Sequence, residues 1–279
     1  KHQYVAIGAH NDHNPVVSMA VDHDSLRSYN GEVEKLKEAL GEGKSPTPAQ
    51  LAAIKVNVDS IRVIRRPRPD SIANGADDDG SGTVTVAEIA EAFAAAKVRP
   101  RRSLLFVWHT GEELGLLGSD YFTRHPSVPL DSVVAQLNLD MVGRGADGDL
   151  KGGGPGYLQL VGTRRLSTEL GDLVESVNKR QKAPFTFDYT FDANGHPENI
   201  YCRSDHASYA RFGIPVAFFT TGLHKDYHQV TDEPQYIDYP HMAAVGQLVY
   251  GVALAVANAD HRMVVDKPKP TSPNAACKQ

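Results

Sequence analysis

Short apolar runs alternate with amphipathic stretches along most of the chain. Residues 103–109 (Ser-Leu-Leu-Phe-Val-Trp-His) read as a buried strand, and residues 4–10, 133–142, 157–161 and 214–220 read the same way. Between them, residues 83–97 form an alanine-rich helical pattern, and residues 116–124, 166–180 and 241–258 are further helices. Strands separated by helices predict an α/β fold: a single mixed, mostly parallel sheet with helices on both faces.

Residues 14–74 interrupt this rhythm. A charged helical pattern over 25–40 (Glu32, Glu34, Lys35, Lys37, Glu38) stops at Gly41 and Gly43. Pro46 and Pro48 open a second helical stretch, 49–58, and the segment closes on the rigid, basic Arg65-Arg66-Pro67-Arg68-Pro69. The segment reads as a helical insertion within one domain spanning 1–262, not as a separate core. Residues 263–279, with Lys-Pro-Lys-Pro-Thr-Ser-Pro, read as a flexible tail. The chain opens almost inside a strand, so an upstream segment is expected to have been removed by processing or proteolysis.

Composition narrows the chemistry. The chain has 279 residues, of which 41% are hydrophobic and 23% charged, an ordinary globular profile with ample apolar material for a core. A net charge of -5 leaves no basic footprint, which argues against nucleic acid as a partner. No apolar run is read as approaching the roughly 18 residues that span a bilayer, and no signal segment opens the chain. Cys202 and Cys277 are too few for a disulfide framework or a thiolate zinc site; one bridge between them stays open. Any metal would therefore be held by imidazole and carboxylate, a set suited to zinc, cobalt or manganese.

Such residues recur where the predicted strands end, the place where open α/β sheets build their sites. Gly8-Ala9-His10-Asn11-Asp12 puts His10 and Asp12 on one side of an extended chain, so that Asp12 could orient the imidazole. A strand-end histidine beside an acid is, however, more often an ordinary polar pair. Asp77-Asp78-Asp79, between glycines and before a helix, could be a turn with Asp79 or Ser81 as helix cap. Three adjacent aspartates repel one another, and a divalent cation would neutralise that repulsion. The acids are contiguous and no glutamate follows at the twelfth position, which departs from a calcium loop.

Glu112 and Glu113 follow the 103–109 strand. They could simply complement a helix dipole, or Glu113 could bind metal while Glu112 takes a proton from a bound water. Asp140 lies in an otherwise apolar strand and needs either a metal or a basic partner such as Arg144. His228 sits in a loop with Asp226, Tyr227 and Asp232, and His224 and His206 compete with it. Together His10, Asp78, Glu113, Asp140 and His228 supply one ligand from each loop. One shared carboxylate would give each of two metals three protein ligands and an open position.

In this order the motifs resemble those of metallopeptidase family 28, the bacterial leucyl aminopeptidase-like zinc exopeptidases. The resemblance rests on Gly8-Ala9-His10, residues 75–82, Gly111-Glu112-Glu113-Leu114-Gly115, Asn138-Leu139-Asp140 and Tyr227-His228. Ser204-Asp205-His206 and Gly115-Leu116-Leu117-Gly118-Ser119 add to it. It covers the chain apart from the insertion and the tail. The resemblance implies two Zn2+ per chain, one held by His10, Asp78 and Asp140 and the other by Asp78, Glu113 and His228. It implies Asp78 as the bridging carboxylate, a cis Asp78–Asp79 peptide and Glu112 as general base. Tyr227 or Tyr201 would bind the oxyanion, and Arg203 would contact substrate. It implies peptide substrates, release of N-terminal residues, and a secreted or periplasmic location.

Three alternatives are weighed beside it. A carboxypeptidase of the same family needs basic groups at the cleft, for which Arg144 and Arg203 are the candidates. A glutaminyl cyclase-like transferase works with one zinc, and a receptor-like ectodomain would lose ligands that are all present here. Side-chain preference and oligomeric state are not encoded legibly.

Overall fold

The computed structural model describes residues 2–278 except 15, 42, 43, 147, 151 and 276. Its strands are β1 (Tyr4–His10), β2 (Val16–Asp22), β3 (Pro69–Ile72), β4 (Ser103–His109), β5 (Val133–Leu139), β6 (Tyr157–Val161), β7 (Thr186–Asp188) and β8 (Val216–Thr220). Its α-helices are α1 (His23–Leu40), α2 (Pro48–Ala52), α3 (Asp59–Arg62), α4 (Gly82–Ala95), α5 (Leu117–Arg124), α6 (Thr168–Lys179), α7 (His206–Ala210) and α8 (Tyr239–Asn258).

Six strands form one sheet in the order β4-β1-β5-β8-β6-β7, and every pairing is parallel except β6 against β8. This is the mixed, mostly parallel sheet that the pattern predicts. Alternation along the strands sorts side chains into two cores. Val5, Ile7 and Ala9 of β1 join Ala217 and Phe219 of β8 on the face covered by α4, α6 and α8. Ala6 of β1 joins Val216 and Phe218 of β8 on the other face, with Tyr209 of α7 and Phe122 of α5. β1 is flanked on both sides by the parallel strands β4 and β5, so its carboxyl end, His10, stands between theirs.

Several expectations shift in detail. Of the expected 49–58 helix only the part within α2, up to Ala52, is helical, and α3 begins beyond it; Thr47 caps α2 with a full capping box, but Val56 and Val58 are poor helix formers and the pattern breaks. The insertion is also not purely helical, because β2 and β3 pair antiparallel across it. The strand expected to run to 142 ends at Leu139, and Met141 turns the chain at φ 61°. Asp140 therefore lies just beyond the strand rather than inside it. α8 is long and apolar enough by length and composition to cross a bilayer, although His241 and Gln247 interrupt its apolar run. Its buried positions, among them Val245, Leu248, Val249, Val252 and Val256, recur every three or four residues and face the first core, as in a core helix.

The insertion is bound to the loop after β8 by charge. Arg27 of α1 pairs with Asp226 and lies over the Tyr236 ring, while Arg68 and His23 both reach Glu233. The tail contains no helix or strand among its described residues, yet it is tied down. Asp266 accepts hydrogen bonds from the Thr168 backbone and hydroxyl at 2.8 and 2.7 Å, which serves the first turn of α6. Cys277 forms a disulfide with Cys202, 75 residues away. Opening that bridge, by reductant or by Cys277→Ser, is expected to cost about 2–4 kcal/mol of unfolding free energy. Denaturant unfolding with and without reductant measures it; coincident transitions would mean that the tail's other contacts hold it alone.

Candidate metal centre

The carboxyl ends of β1, β4 and β5 and the loop after β8 converge on one cluster. His10 Nδ1 lies 2.9 Å from the carbonyl oxygen of Asp12, which turns Nε2 inward, 3.1 Å from Asp78 Oδ1 and 3.7 Å from Asp140 Oδ1. The Asp12 carbonyl therefore orients the ring, while the Asp12 carboxylate, 3.8 Å from Nδ1, accepts the Glu112 N–H at 3.1 Å. Asp12 thus couples the first loop to the third.

The three adjacent aspartates have separate tasks. Asp77 accepts the Gly143 N–H at 2.6 Å and lies 3.2 Å from His224. Asp79 accepts backbone N–H groups from His10, Gly82 and Met141, so it caps α4 and anchors the neighbouring loops. Asp78 turns its carboxylate toward both His10 and His228, and the Asp78–Asp79 peptide is cis, as the resemblance implied. Its backbone N–H, with that of Asp77, donates to Asp232. Asp78 Oδ1 faces His10, and Oδ2 lies 3.0 Å from His228 Nε2. One carboxylate thus stands between two imidazoles.

Glu113 completes the second side, with Oε2 3.1 Å from His228 Nε2. Glu112 and Glu113 lie in a turn ahead of α5, not within its first turn, so the helix-dipole reading of the pair falls. His228 is selected over its rivals by geometry. His206 is buried against Phe218, and His224 is engaged with Asp77. Arg144 is not the partner of Asp140. It is fully buried and paired with Asp226 at 2.6 Å and Asp149 at 3.3 Å.

The structure adds His13, which the sequence reading passed over. Its Nδ1 lies 2.8 Å from Glu113 Oε1 and 3.8 Å from Asp78 Oδ2. The available signal was the second histidine in Gly-Ala-His-Asn-Asp-His; strand alternation from His10 leads to Asp12 and stops short of it.

The donor set fits divalent cations. His10, Asp79 and Asp140 bring ligand atoms within 4.8 Å of one another, as do His13, Asp78 and Glu113. In the first group Asp79 is the weaker donor, because both its oxygens already accept backbone N–H groups. Asp78 supplies the freer oxygen. Among the described residues, His10 Nε2, Asp78 Oδ2 and Glu113 Oε1 are buried without a hydrogen-bond partner, although each faces other ligand-type atoms. Buried polar atoms seldom lack partners, and a cation on each side of Asp78 would satisfy these. The charge balance agrees. Burial alone would lower the His228 imidazole, yet Asp78 and Glu113 raise it to about 9. The surplus of buried carboxylate that raises His228 is the field that would attract a cation, whose binding displaces protons from its ligands.

Beside the cluster opens a cavity. Asp78, Asp140, Glu112, Tyr227 and His228 line its polar end; Met141, Ile200, Phe218 and Leu223 form an apolar wall. Burial first, and then the Asp140 carboxylate, push the Glu112 carboxyl up to about 9. The two candidate tyrosines separate. Tyr227 stacks on His228 with ring centroids 3.8 Å apart, and its hydroxyl accepts from Arg203 at 3.1 Å. Tyr201 instead packs in the second core under the Arg165 guanidinium, away from the cavity lining. Arg203 lines the cavity at its rim and also binds Glu198.

The chain is similar to known proteins in sequence and in fold. A sequence profile described as "Peptidase family M28" matches residues 1–253. Leucine aminopeptidase 1 of Uncinocarpus reesii is 28% identical over 88% of the chain, and that of Ajellomyces dermatitidis is 32% identical over 85%. In each case the chain spans 62% of the relative's length. A crystal structure of the LapA aminopeptidase of Legionella pneumophila superposes with a TM-score of 0.61 at 21% identity, covering 93% of this chain and 52% of that one.

Proposed function

The chain belongs to peptidase family M28, and from that premise we propose that it is a two-zinc exopeptidase that releases residues from peptide N-termini. The observation that carries this reading is the Asp78 carboxylate, shared between His10 on one side and His228 with Glu113 on the other. In this reading His10, Asp78 and Asp140 hold one zinc ion, and Asp78, Glu113 and His228 hold the other. Bound there, the ions would acidify a water and polarise the scissile carbonyl.

The protein's own groups do the rest. Glu112, held by the Asp12 contact to its backbone, takes the proton from the attacking water and returns it to the departing amine. The Tyr227 hydroxyl donates to the carbonyl oxygen as charge develops there, and Arg203 positions it. The apolar wall receives the side chain of the residue to be released and excludes water from it.

The end of the peptide follows from charge. A C-terminal carboxylate would need free cations, and Arg144 is buried in ion pairs while Arg203 is engaged by Glu198 and Tyr227. The names of the leucine aminopeptidase relatives support the same choice. The catalytic unit in this reading is 1–262, with 14–74 as an insertion bracing the His228 loop. The Cys202–Cys277 bridge supports a secreted or periplasmic location.

One apolar-headed peptide, tested free, N-acetylated and C-amidated with zinc-loaded protein, checks the assignment. Cleavage is expected to survive amidation and to vanish on acetylation. Loss only on amidation would identify a carboxypeptidase.

A further inference from the structure

Resting on the two-ion reading above, we propose that His13 is a direct ligand of the ion held by Asp78, Glu113 and His228, which gives that position one more protein donor than its neighbour. His13 Nδ1 approaches Glu113 Oε1 to 2.8 Å, yet both ring nitrogens of His13 and that oxygen lack a hydrogen-bond partner. The approach is therefore close without hydrogen-bond alignment. Two donor atoms take such an arrangement when both point at a third atom rather than at each other. An ordinary ion pair would instead align an N–H with the carboxylate and leave no orphaned oxygen.

The surroundings are shaped for the ring. The Glu113 side chain is 6% exposed, and its other oxygen accepts from Asn14 at 3.0 Å, which leaves Oε1 to His13. Gly75, at φ +59°, lies against the imidazole; a Cβ there would come within 2.6 Å of His13 Cγ. The His13 and His228 rings meet edge to face with centroids 5.7 Å apart, so two imidazoles approach the same pair of carboxylates from different sides. An added neutral nitrogen donor makes this ion the tighter and more slowly exchanging of the two, and leaves the ion at His10 and Asp140 the more labile.

The test is zinc binding by equilibrium dialysis against buffered Zn2+, with metal counted by mass spectrometry. Wild type is expected to bind two ions and Asp140→Asn to retain one. Adding His13→Ala or His13→Asn to the Asp140→Asn protein is expected to weaken that remaining ion by about tenfold or more. Circular dichroism after chelation, matching that of Asp140→Asn, shows that the fold survives; the asparagine variant keeps a polar group should alanine disturb it. Unchanged affinity in both double variants would overturn the role of His13 and leave the two-ion reading standing. Wild type binding fewer than two ions would overturn both.

Discussion

Glu112→Gln is expected to lower kcat by about 10²- to 10⁴-fold while leaving two zinc ions in place. The size follows from what the substitution removes. Glutamine keeps the shape and one oxygen of the side chain but cannot accept and return a proton, so the water must lose its proton to bulk solvent and the amine must leave unprotonated. That corresponds to about 3–5 kcal/mol of barrier. Metal content should be unaffected, because Glu112 lies outside both groups of converging ligand atoms. Steady-state kinetics on an aminoacyl chromogenic substrate, with metal analysis of the same sample, gives both readings. Near-normal turnover with full metal content would remove Glu112 from the mechanism. Loss of an ion would make it a ligand instead.

Much of the site was legible because a parallel sheet converts chain order into spatial convergence. Strands that run the same way end on the same edge, so ligand-type residues at the ends of β1, β4 and β5 had to meet there. What was not legible lay in contacts that no local pattern carries. Asp140 read as a strand residue because nothing in Leu-Asp-Met-Val announces the left-handed turn at Met141. Arg144 seemed available until Asp226, 82 residues away, claimed it. The β2–β3 pair joins segments separated by the whole of α1, α2 and α3, and its mostly exposed strands carry little apolar alternation. Tyr201 and Tyr227 were indistinguishable as residue types; only the packing of Tyr201 into a core and of Tyr227 against His228 at the cavity separates them.

Asp78→Asn is expected to abolish tight binding of both ions, whereas Asp140→Asn should release only one. Asparagine is nearly isosteric, and the backbone bonds of this turn run to Asp232 and through Asp79, so the loop should keep its course. What disappears is the negative charge that faces His10 on one side and His228 on the other. Each ion then loses an anionic ligand at once, and the remaining amide oxygen is a neutral, weaker donor. Asp140 lies near His10 alone among the ligand imidazoles, so its loss should stay local. Stability should follow occupancy. Zinc at 100 times its dissociation constant stabilises a single-site protein by about 2.7 kcal/mol, so the wild-type unfolding midpoint should fall on chelation while that of Asp78→Asn should hardly move. An Asp78→Asn protein that still carried two ions, or that still lost its midpoint to a chelator, would show that the two positions do not share this carboxylate.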